Sequence, residues 1–350
     1  MSQAMGWAAV FAVAAVCAGV SVGCTPHTDA SAEAKVPTVA EDEPPKKTEF
    51  ATGDGKDGKD RKVVEVKFDG ERALKYVKEF CDIGPRVSGT EAIKKQQKII
   101  EAHFKKLGAT VTRQEFKARQ RSRKEETEFV NIVASWNPEK ERRVILCAHY
   151  DTRPIADQEE NRANWNKPFL SANDGTGGVA LLMELGNHMK DVKCEFGVDF
   201  VFFDGEEYVF ETGMMGGDRY FIGSEHFADE YTKSKGKRKH RYDAAILFDL
   251  CTAKGAELKV ELHSYDAAKP LVDQVWGVAK DLGVKSFKYE RGHEVLDDHI
   301  ALIRAGIPAI DVIDFDYPHW HKLSDTADKI DPAQMRDVGK VIATWLQKIG

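Results

Sequence analysis

Short apolar runs with strand character alternate with amphipathic helical runs through most of the chain, and this alternation restricts the fold more than any other feature. The strand-like runs lie at residues 129–135, 144–148, 198–203, 244–250, 258–262 and 309–313. The helical runs lie at residues 73–81, 92–107, 178–189, 267–282 and 332–349. Strands that alternate with helices predict helices on both faces of a largely parallel sheet. We therefore expect an α/β fold, a three-layer α/β/α sandwich with a mixed, mostly parallel central sheet.

The N-terminal segment has a different character. Residues 6–23 carry no charge and end in small residues directly before Cys24. This pattern is similar to a bacterial lipoprotein signal, which predicts a signal at residues 1–23, cleavage before Cys24 and a lipid on its thiol. A plain signal peptide or an uncleaved anchor stays open, because 18 apolar residues nearly span a bilayer. Each alternative predicts export, to the periplasm or the cell surface, with membrane attachment only through the N-terminus.

A polar segment separates this region from the first helical run. Residues 24–61 are rich in Pro, Ala, Asp, Glu, Lys, Gly and Thr and contain few large apolar side chains. Such a composition cannot bury a core, so it predicts a disordered tether, which leaves residues 62–350 as the folded domain. The net charge of -6 and the pI near 6.0 do not predict a nucleic-acid partner. The sequence leaves the oligomeric state open.

Histidines and carboxylates recur where the predicted strands end. His149 directly follows the run 144–148, and Glu206 and Glu207 come shortly after the run 198–203. Because the carboxyl ends of parallel strands share one edge of a sheet, side chains placed there are expected to meet. The residues that we expect to converge are His149, Asp174, Glu207, Asp249 and His321.

A bound metal ion would explain these residues. Each of them follows or ends an apolar run, where burial makes an isolated charge costly and a dication would remove that cost. Histidine and carboxylate ligands without thiolates are typical of catalytic zinc sites that keep an open position. The Glu206-Glu207 doublet fits this chemistry, because one glutamate can bind the metal while the other stays free as an acid or base. The sequence therefore predicts a zinc enzyme.

Six short segments together indicate a family. They are GPRVSGT, CAHYDTRP, SANDGTGGVALLMELG, VFFDGEE, ILFDL and WHKLSDTADKID, which occur in this order between about residue 73 and the C-terminus. The series resembles the zinc aminopeptidase superfamily, which also contains the animal-type glutaminyl cyclases. The resemblance implies the phosphorylase/hydrolase-like fold of the di-zinc exopeptidases and a zinc-dependent catalytic domain over residues 62–350.

The resemblance also implies a set of metal ligands. Asp174, Glu207 and His321 would bind one zinc ion. His149 and Asp249 would complete a second site, with Asp174 as the bridging ligand. The expected cofactor is therefore one Zn²⁺, or two if the second site binds.

Two reactions fit this family, both on the N-termini of peptides or proteins. In a zinc aminopeptidase, Glu206 would take a proton from a metal-bridging water that hydrolyses the first peptide bond. In a glutaminyl cyclase, the α-amine of an N-terminal glutamine would attack its own γ-carboxamide carbon, and Glu206 would carry the amine proton to the departing ammonia. In either case Asp151 would orient His149.

The late segments of the chain favour the cyclase branch. The stretches Asp297-Asp298-His299 and Tyr317-Pro318-His319-Trp320-His321 resemble that branch closely. There the first aspartate pairs with the residue at the position of Asp249, so the two carboxylates would share a proton. Asp249 would then be a poor ligand for a second zinc ion, and Asp249 and Asp297 would join Glu206 in catalysis. The alternative for Asp297 is the N-cap of a helix that begins at Asp298.

The substrate pocket is expected beside the metal-binding histidine. The resemblance makes Trp320 a wall of a narrow glutamine pocket, with Tyr317 close by. Tyr208 or Phe210 would stand where the cyclases carry a second tryptophan after the glutamate doublet. We expect a glutaminyl-peptide cyclotransferase, with an aminopeptidase as the alternative. A catalytically silent binding module would require the loss of a ligand or of the base, and none is missing.

Overall fold

The structure, a computed structural model, describes residues 63–212 and 217–349. The predicted signal at residues 1–23 and the predicted tether at residues 24–61 lie outside these ranges. Within them, no helix combines the length and the apolar character needed to cross a membrane.

Helices and strands alternate along the described chain. The helices are α1 (Gly70–Ile83), α2 (Glu91–Leu107), α3 (Thr176–Gly186), α4 (Ile222–Lys233), α5 (Leu262–Asp281), α6 (Asp298–Arg304) and α7 (Pro332–Lys348). The strands are β1 (Thr110–Ala118), β2 (Thr127–Trp136), β3 (Arg142–His149), β4 (Gly197–Phe203), β5 (Arg241–Phe248), β6 (Leu258–Val260), β7 (Phe287–Arg291) and β8 (Ala309–Val312). Two short 3₁₀ helices lie at Arg162–Asn164 and Ala327–Lys329.

The central sheet has six strands in the order β1-β2-β4-β3-β5-β8. Strands β4, β3, β5 and β8 run parallel to one another, whereas β2 pairs antiparallel with both β4 and the edge strand β1. The sheet is therefore mixed and mostly parallel, as predicted. All four parallel strands end at the same edge, which is where the polar residues of the sequence analysis follow.

Helices cover both faces of the sheet. Alternate residues of β3 point to opposite faces: Val144 and Leu146 belong to the larger core cluster, whereas Ile145 and Cys147 belong to a smaller one. Helices α1, α2, α3, α5 and α7 pack on the first face, while α4 and α6 pack on the second. Strands buried on both faces need to be apolar throughout, which explains the continuous hydrophobic runs. The predicted three-layer α/β/α sandwich is confirmed.

Several elements carry weaker sequence signals than the core strands. Strand β1 lies at the sheet edge, and its residues are exposed or half-buried, so its sequence TVTRQEFKA lacks an apolar run. Helix α4 and strand β7 were likewise not predicted. The predicted strand at 258–262 exists as the shorter β6, but it pairs with β7 in a separate two-stranded sheet. Local sequence patterns therefore predict which segments are buried strands. They do not predict which strands pair with each other.

Candidate metal centre

The parallel strands deliver the predicted ligands to one edge of the sheet. His149 is the last residue of β3, Asp249 directly follows β5, and the Glu206-Glu207 doublet comes shortly after β4. His321 lies in the long loop after β8. The side chains of all these residues are buried or nearly so.

Asp174 lies in a loop that is held from several sides. The carboxylate of Asp325 accepts hydrogen bonds from the backbone N–H groups of Asn173 and Asp174, at 3.0 and 3.2 Å. The Asn173 side chain accepts from the backbone N–H of Thr252 at 3.0 Å. Gly175 has a φ of +68°, and a Cβ there would lie 2.5 Å from the His149 ring. A glycine is therefore required where this loop passes the histidine.

Asp174, Glu207 and His321 form the first candidate ligand group. Their ligand atoms all lie within 4.8 Å of one another. The Nε2 atom of His321 is 2.5 Å from Glu207 Oε1 and 3.8 Å from Asp174 Oδ2. The structure thus brings together the three residues that the resemblance assigned to one zinc ion.

His149, Asp174 and Asp249 form a second group of the same kind. The Nε2 atom of His149 is 3.2 Å from Asp174 Oδ1 and 3.3 Å from Asp249 Oδ1. Asp174 belongs to both groups, which is the bridging position expected of it. Asp249 Oδ1 also accepts a hydrogen bond from the Gly175 N–H at 2.9 Å.

The chemistry of these donors fits a metal ion. Five buried atoms of the ligand residues have no hydrogen-bond partner, namely both ring nitrogens of His149, Nδ1 of His321, Asp174 Oδ2 and Glu207 Oε2. Buried polar atoms without partners are costly, and bound cations are a common reason for such clusters. Burial, together with the neighbouring charge of Glu207, raises the pKa of Asp174 well above its usual range. A dication held by oxygen and imidazole nitrogen would relieve both costs, as in other zinc sites.

The two glutamates of the doublet have different electrostatic environments. Burial raises the pKa of Glu206 well above its usual value, and Glu207 and Asp297 add to this rise. Burial would also raise the pKa of Glu207, but His321 and Arg153 outweigh it and lower this pKa to about 2. Adjacent carboxylates with opposite shifts suit one group that carries a proton and one that stays charged.

Asp151 contacts both halves of the site. Its carboxylate accepts hydrogen bonds from the backbone N–H groups of Glu206 and Glu207, each at 3.1 Å. Its Oδ1 atom is 3.7 Å from Nδ1 of His149. In the structure the tighter contacts of Asp151 are therefore those to the glutamate doublet.

Asp297 takes the N-cap position that was the alternative considered for it. It is the N-cap of α6, where its side chain accepts a hydrogen bond from the Asp298 N–H at 2.6 Å. It is also buried, and this burial, followed by the charges of Asp249 and Asp298, raises its pKa well above the usual range. A carboxyl group in this position is stabilised in its protonated form.

The three predicted pocket residues lie in different surroundings. Trp320 is half-buried and packs on His321, with ring centroids 4.0 Å apart. The hydroxyl of Tyr317 donates to Asp325 at 2.7 Å, which links it to the loop of Asp174. Tyr208 lies in a separate apolar cluster with Phe129, and its ring is nearly covered. Of the three, Trp320 contacts the candidate ligands most directly.

Several polar residues of the site were given no role in the sequence analysis. Asp325 holds the loop of Asp174, and Arg153 and Asp157 lie behind His321. Arg153 and Asp325 do stand in the segments CAHYDTRP and WHKLSDTADKID, which carried the family resemblance. Asp157 follows four residues after Arg153, and that spacing was its only local signal.

Comparison with known proteins places the chain in a family. The family profile described as Peptidase family M28 matches residues 131–346, which is more than half of the chain. The chain belongs to Peptidase family M28. This confirms the predicted resemblance to the zinc aminopeptidase superfamily.

Solved structures of M28-like fold are similar over most of the described domain. A glutaminyl cyclase from Fimbriiglobus ruber is 54% identical, with a TM-score of 0.80, and the match covers 83% of this chain and 98% of that one. A glutaminyl cyclase from Bacteroides thetaiotaomicron, bound to N-acetylhistamine, is 30% identical with a TM-score of 0.75, covering 81% of this chain and 99% of that one. The similarity to the cyclase branch is thus confirmed at the level of sequence and fold.

A curated relative extends this similarity to animals. The glutaminyl-peptide cyclotransferase of Bos taurus is 23% identical over 245 residues, which make up 62% of this chain. The match spans 65% of the length of that relative.

Proposed function

We propose that this M28 protein is a glutaminyl-peptide cyclotransferase that converts an N-terminal glutamine of peptides or proteins to pyroglutamate and releases ammonia. The observation that carries the proposal is the 54% identity, over 83% of the chain, to a glutaminyl cyclase of known structure. The candidate site supports it, because every ligand and acid–base residue expected from the cyclase branch is present and buried at one edge of the sheet.

Each residue of the site would have a distinct role in this reaction. Asp174, Glu207 and His321 would hold a zinc ion, which when bound supplies Lewis-acid polarisation of the γ-carboxamide. Glu206 would take a proton from the α-amine as that nitrogen bonds to the γ-carbon, and deliver a proton to the amide nitrogen as it leaves as ammonia. The raised pKa of Glu206 suits a group that both accepts and donates a proton near neutral pH.

Most of the remaining catalysis would come from positioning. The attack is intramolecular, so a pocket that folds the glutamine back on its own amine removes much of the entropic barrier. Trp320, half-buried and packed on His321, would form one wall of that pocket. We further propose that one zinc ion suffices: burial and the charge of Asp249 raise the pKa of Asp297, and a proton shared between these two carboxyl groups would weaken the second group as a metal site.

A product assay tests the reaction. The full chain, loaded with zinc, is incubated with a peptide that begins with glutamine, and pyroglutamyl peptide and ammonia are measured. The matched control is the same peptide with an acetylated α-amine, which has lost its nucleophile and should give neither product. Equal ammonia release from both peptides would mean simple amide hydrolysis and would rule out the cyclase.

The aminopeptidase remains the second candidate because the group His149, Asp174 and Asp249 is complete. An aminopeptidase would release free amino acids from peptides that begin with leucine or alanine. The metal content gives an independent measurement. About one zinc per chain supports the cyclase, and about two support the aminopeptidase.

We also propose that the protein is an exported lipoprotein, anchored through Cys24. The apolar residues 6–23 before this cysteine support the proposal. In a bacterial host, a labelled fatty acid should be incorporated into the wild-type chain and not into Cys24→Ser. No labelling of either protein would argue for a plain signal or an uncleaved anchor.

A further inference from the structure

The two ring nitrogens of His321 face different groups. Nε2 lies beside Glu207 and Asp174, the other members of the first ligand group. Nδ1 lies 3.0 Å from Oδ1 of Asp157, a close ionic contact that lacks the angle of a hydrogen bond. A neutral imidazole has one N–H and one lone pair, so a carboxylate at Nδ1 favours the tautomer whose lone pair at Nε2 is available to a metal.

Asp157 is itself held by a buried arginine. Nε and Nη2 of Arg153 bind the two carboxylate oxygens of Asp157, each at 3.0 Å. Nη2 also donates to the hydroxyl of Tyr220 at 2.9 Å. The Arg153 side chain has no exposed surface, and that of Asp157 is 9% exposed. A planar guanidinium fork that binds both oxygens fixes the rotation of the carboxylate. The single ammonium group of a lysine cannot do this.

The charge of this arginine also matters for the metal group. Nη1 of Arg153 lies 3.8 Å from Oε1 of Glu207. An uncompensated cation at that distance would compete with a metal dication for the carboxylate of Glu207. Asp157 supplies the compensating negative charge. The Arg153–Asp157 pair therefore has no net charge that would repel a metal ion.

The same stretch of chain holds the backbone on either side of His321. The N–H of Gln158 donates to the carbonyl of His321 at 3.3 Å, and the Glu159 carboxylate accepts from the N–H of Leu323 at 2.9 Å. His321 has a φ of +52°, in the left-handed region that residues other than glycine rarely adopt. Its conformation therefore depends on the contacts that surround it.

We infer that Arg153 and Asp157 are a positioning pair for His321, and that their charge-compensated fork sets the zinc affinity of the site. The inference rests on the proposed zinc site and not on which reaction the zinc serves. The zinc dissociation constant tests this inference. It is measured by chelator competition on the full chain, for the wild type, Asp157→Asn and Arg153→Lys. Removal of such a supporting group weakens metal binding by about 10–100-fold.

The two variants separate charge from geometry. Asp157→Asn keeps the shape and an acceptor oxygen but removes the compensating charge, so we expect the larger loss of zinc affinity, about 10–100-fold. Arg153→Lys keeps the charge and loses the fork, so we expect a smaller loss. In the cobalt-substituted proteins, both variants should also show a changed visible absorption spectrum, because the ring of His321 is held differently.

A matched control distinguishes this role from a purely structural one. Lys269 and Asp273 form an exposed ion pair with the same spacing in the chain, and Asp273→Asn should leave zinc affinity unchanged. Circular dichroism and the unfolding midpoint of the metal-free proteins report the fold separately. Zinc affinities and cobalt spectra equal to the wild type, with only a lower unfolding midpoint, would overturn the inference. If the wild type itself bound no zinc, the proposed metal site would be wrong, and this inference with it.

Discussion

Glu206 and Glu207 are neighbours in the chain, but their carboxylates meet different surroundings. Glu207 lies against His321 and Arg153, which hold its pKa at about 2 although burial opposes this. Burial raises the pKa of Glu206 well above its usual range; the neighbouring His149 opposes this rise, whereas Glu207 and Asp297 add to it. One chain segment therefore places a charged and a neutral carboxyl group side by side, which suits the proposed roles of metal ligand and proton carrier.

Substitutions of the doublet should separate these roles. Glu206→Gln should lower kcat by about 10²–10⁴-fold, because the proton carrier is lost, while the zinc content stays near that of the wild type. The matched variant Glu207→Gln should lose both activity and zinc. The measurement is kcat together with metal content after dialysis. Loss of zinc in Glu206→Gln with retention in Glu207→Gln would show that the two roles are exchanged.

Asp204 gives a prediction about pH. Burial, followed by the charge of Asp151, raises the pKa of Asp204 to about 7. An unfolded aspartate titrates near pH 3.9, so the folded protein binds the extra proton between these values. The stability from this group is complete below about pH 4 and is lost as the pH rises toward 7.

Asp204→Asn imitates the neutral form and should remove that pH dependence. The free energy of unfolding of the variant, relative to the wild type, should increase on the order of 2–4 kcal/mol between pH 4 and pH 8. Denaturant unfolding at several pH values measures it. A difference that stays constant with pH would show that Asp204 is ionised throughout.

The sequence was sufficient for the residues whose chemistry is tied to a strand end. His149, Glu207 and Asp249 each follow an apolar run, and parallel strands bring such positions together. Asp157 and Asp325 lie in loops. The contact of Asp157 with His321 spans 164 residues of the chain, and that of Asp325 with Asn173 spans 152. No local pattern records such a contact, so these supporting residues emerged only from the three-dimensional arrangement.

At the scale of the secondary-structure elements, a buried ionic cluster ties four strands together. Asp199 on β4 binds Arg143 on β3, Ser135 on β2 and the hydroxyl of Tyr242 on β5. Arg143 lies at the start of β3, whereas His149 ends that strand, so the cluster lies away from the candidate metal centre along the strand. Its role is therefore expected to be stability of the sheet.

Asp199→Ala should destabilise the protein without altering the site. Removal of one partner leaves a buried, uncompensated Arg143, and the expected loss is about 3–5 kcal/mol in the free energy of unfolding. The control is Glu230→Ala, which breaks an exposed pair with Lys233 and should cost about 0.5 kcal/mol or less. Denaturant unfolding measures both. A similar loss for the two variants would contradict the importance of the buried cluster.

The predicted and unpredicted elements differ in burial. Strands β3 and β4 are buried over nearly their whole length and were found from their apolar runs. Strand β1 is exposed along much of its length, so its pairing with β2 and not its composition defines it. Strand β6 has only three residues and leaves the central sheet for a small sheet with β7. The fold class was therefore predictable, but the full strand order was not.

At the scale of the whole molecule, the sheet brings several buried carboxyl groups together at one edge. The fold alone does not compensate the negative charge that these groups would carry. Asp174, Glu206 and Asp297 all have strongly raised pKa values, for which burial is the largest cause. A metal ion that binds the folded chain and not the unfolded one would stabilise the fold by mass action. Stability and metal binding should therefore be coupled.

Removal of zinc with a chelator at pH 8 should lower Tm. At free zinc about 1,000-fold above Kd the stabilisation is about 4 kcal/mol, which corresponds to a shift of roughly 10 °C in a domain of this size. Burial alone would lower the pKa of His321, but Glu207 and Asp157 raise it to about 9 in the absence of metal. Protons therefore compete with zinc increasingly as the pH falls, and the shift should shrink between pH 8 and pH 5.5.

The control for this prediction is His321→Ala, which lacks one ligand of the first group. Its Tm should already be low and should respond little to the chelator, because the site no longer binds zinc tightly. Differential scanning calorimetry of both proteins, with and without chelator, at the two pH values gives the comparison. An equal shift in the variant would place the stabilising metal elsewhere in the molecule. A shift in the wild type that grew on acidification would show that the ligand histidine is not the group that protons compete for.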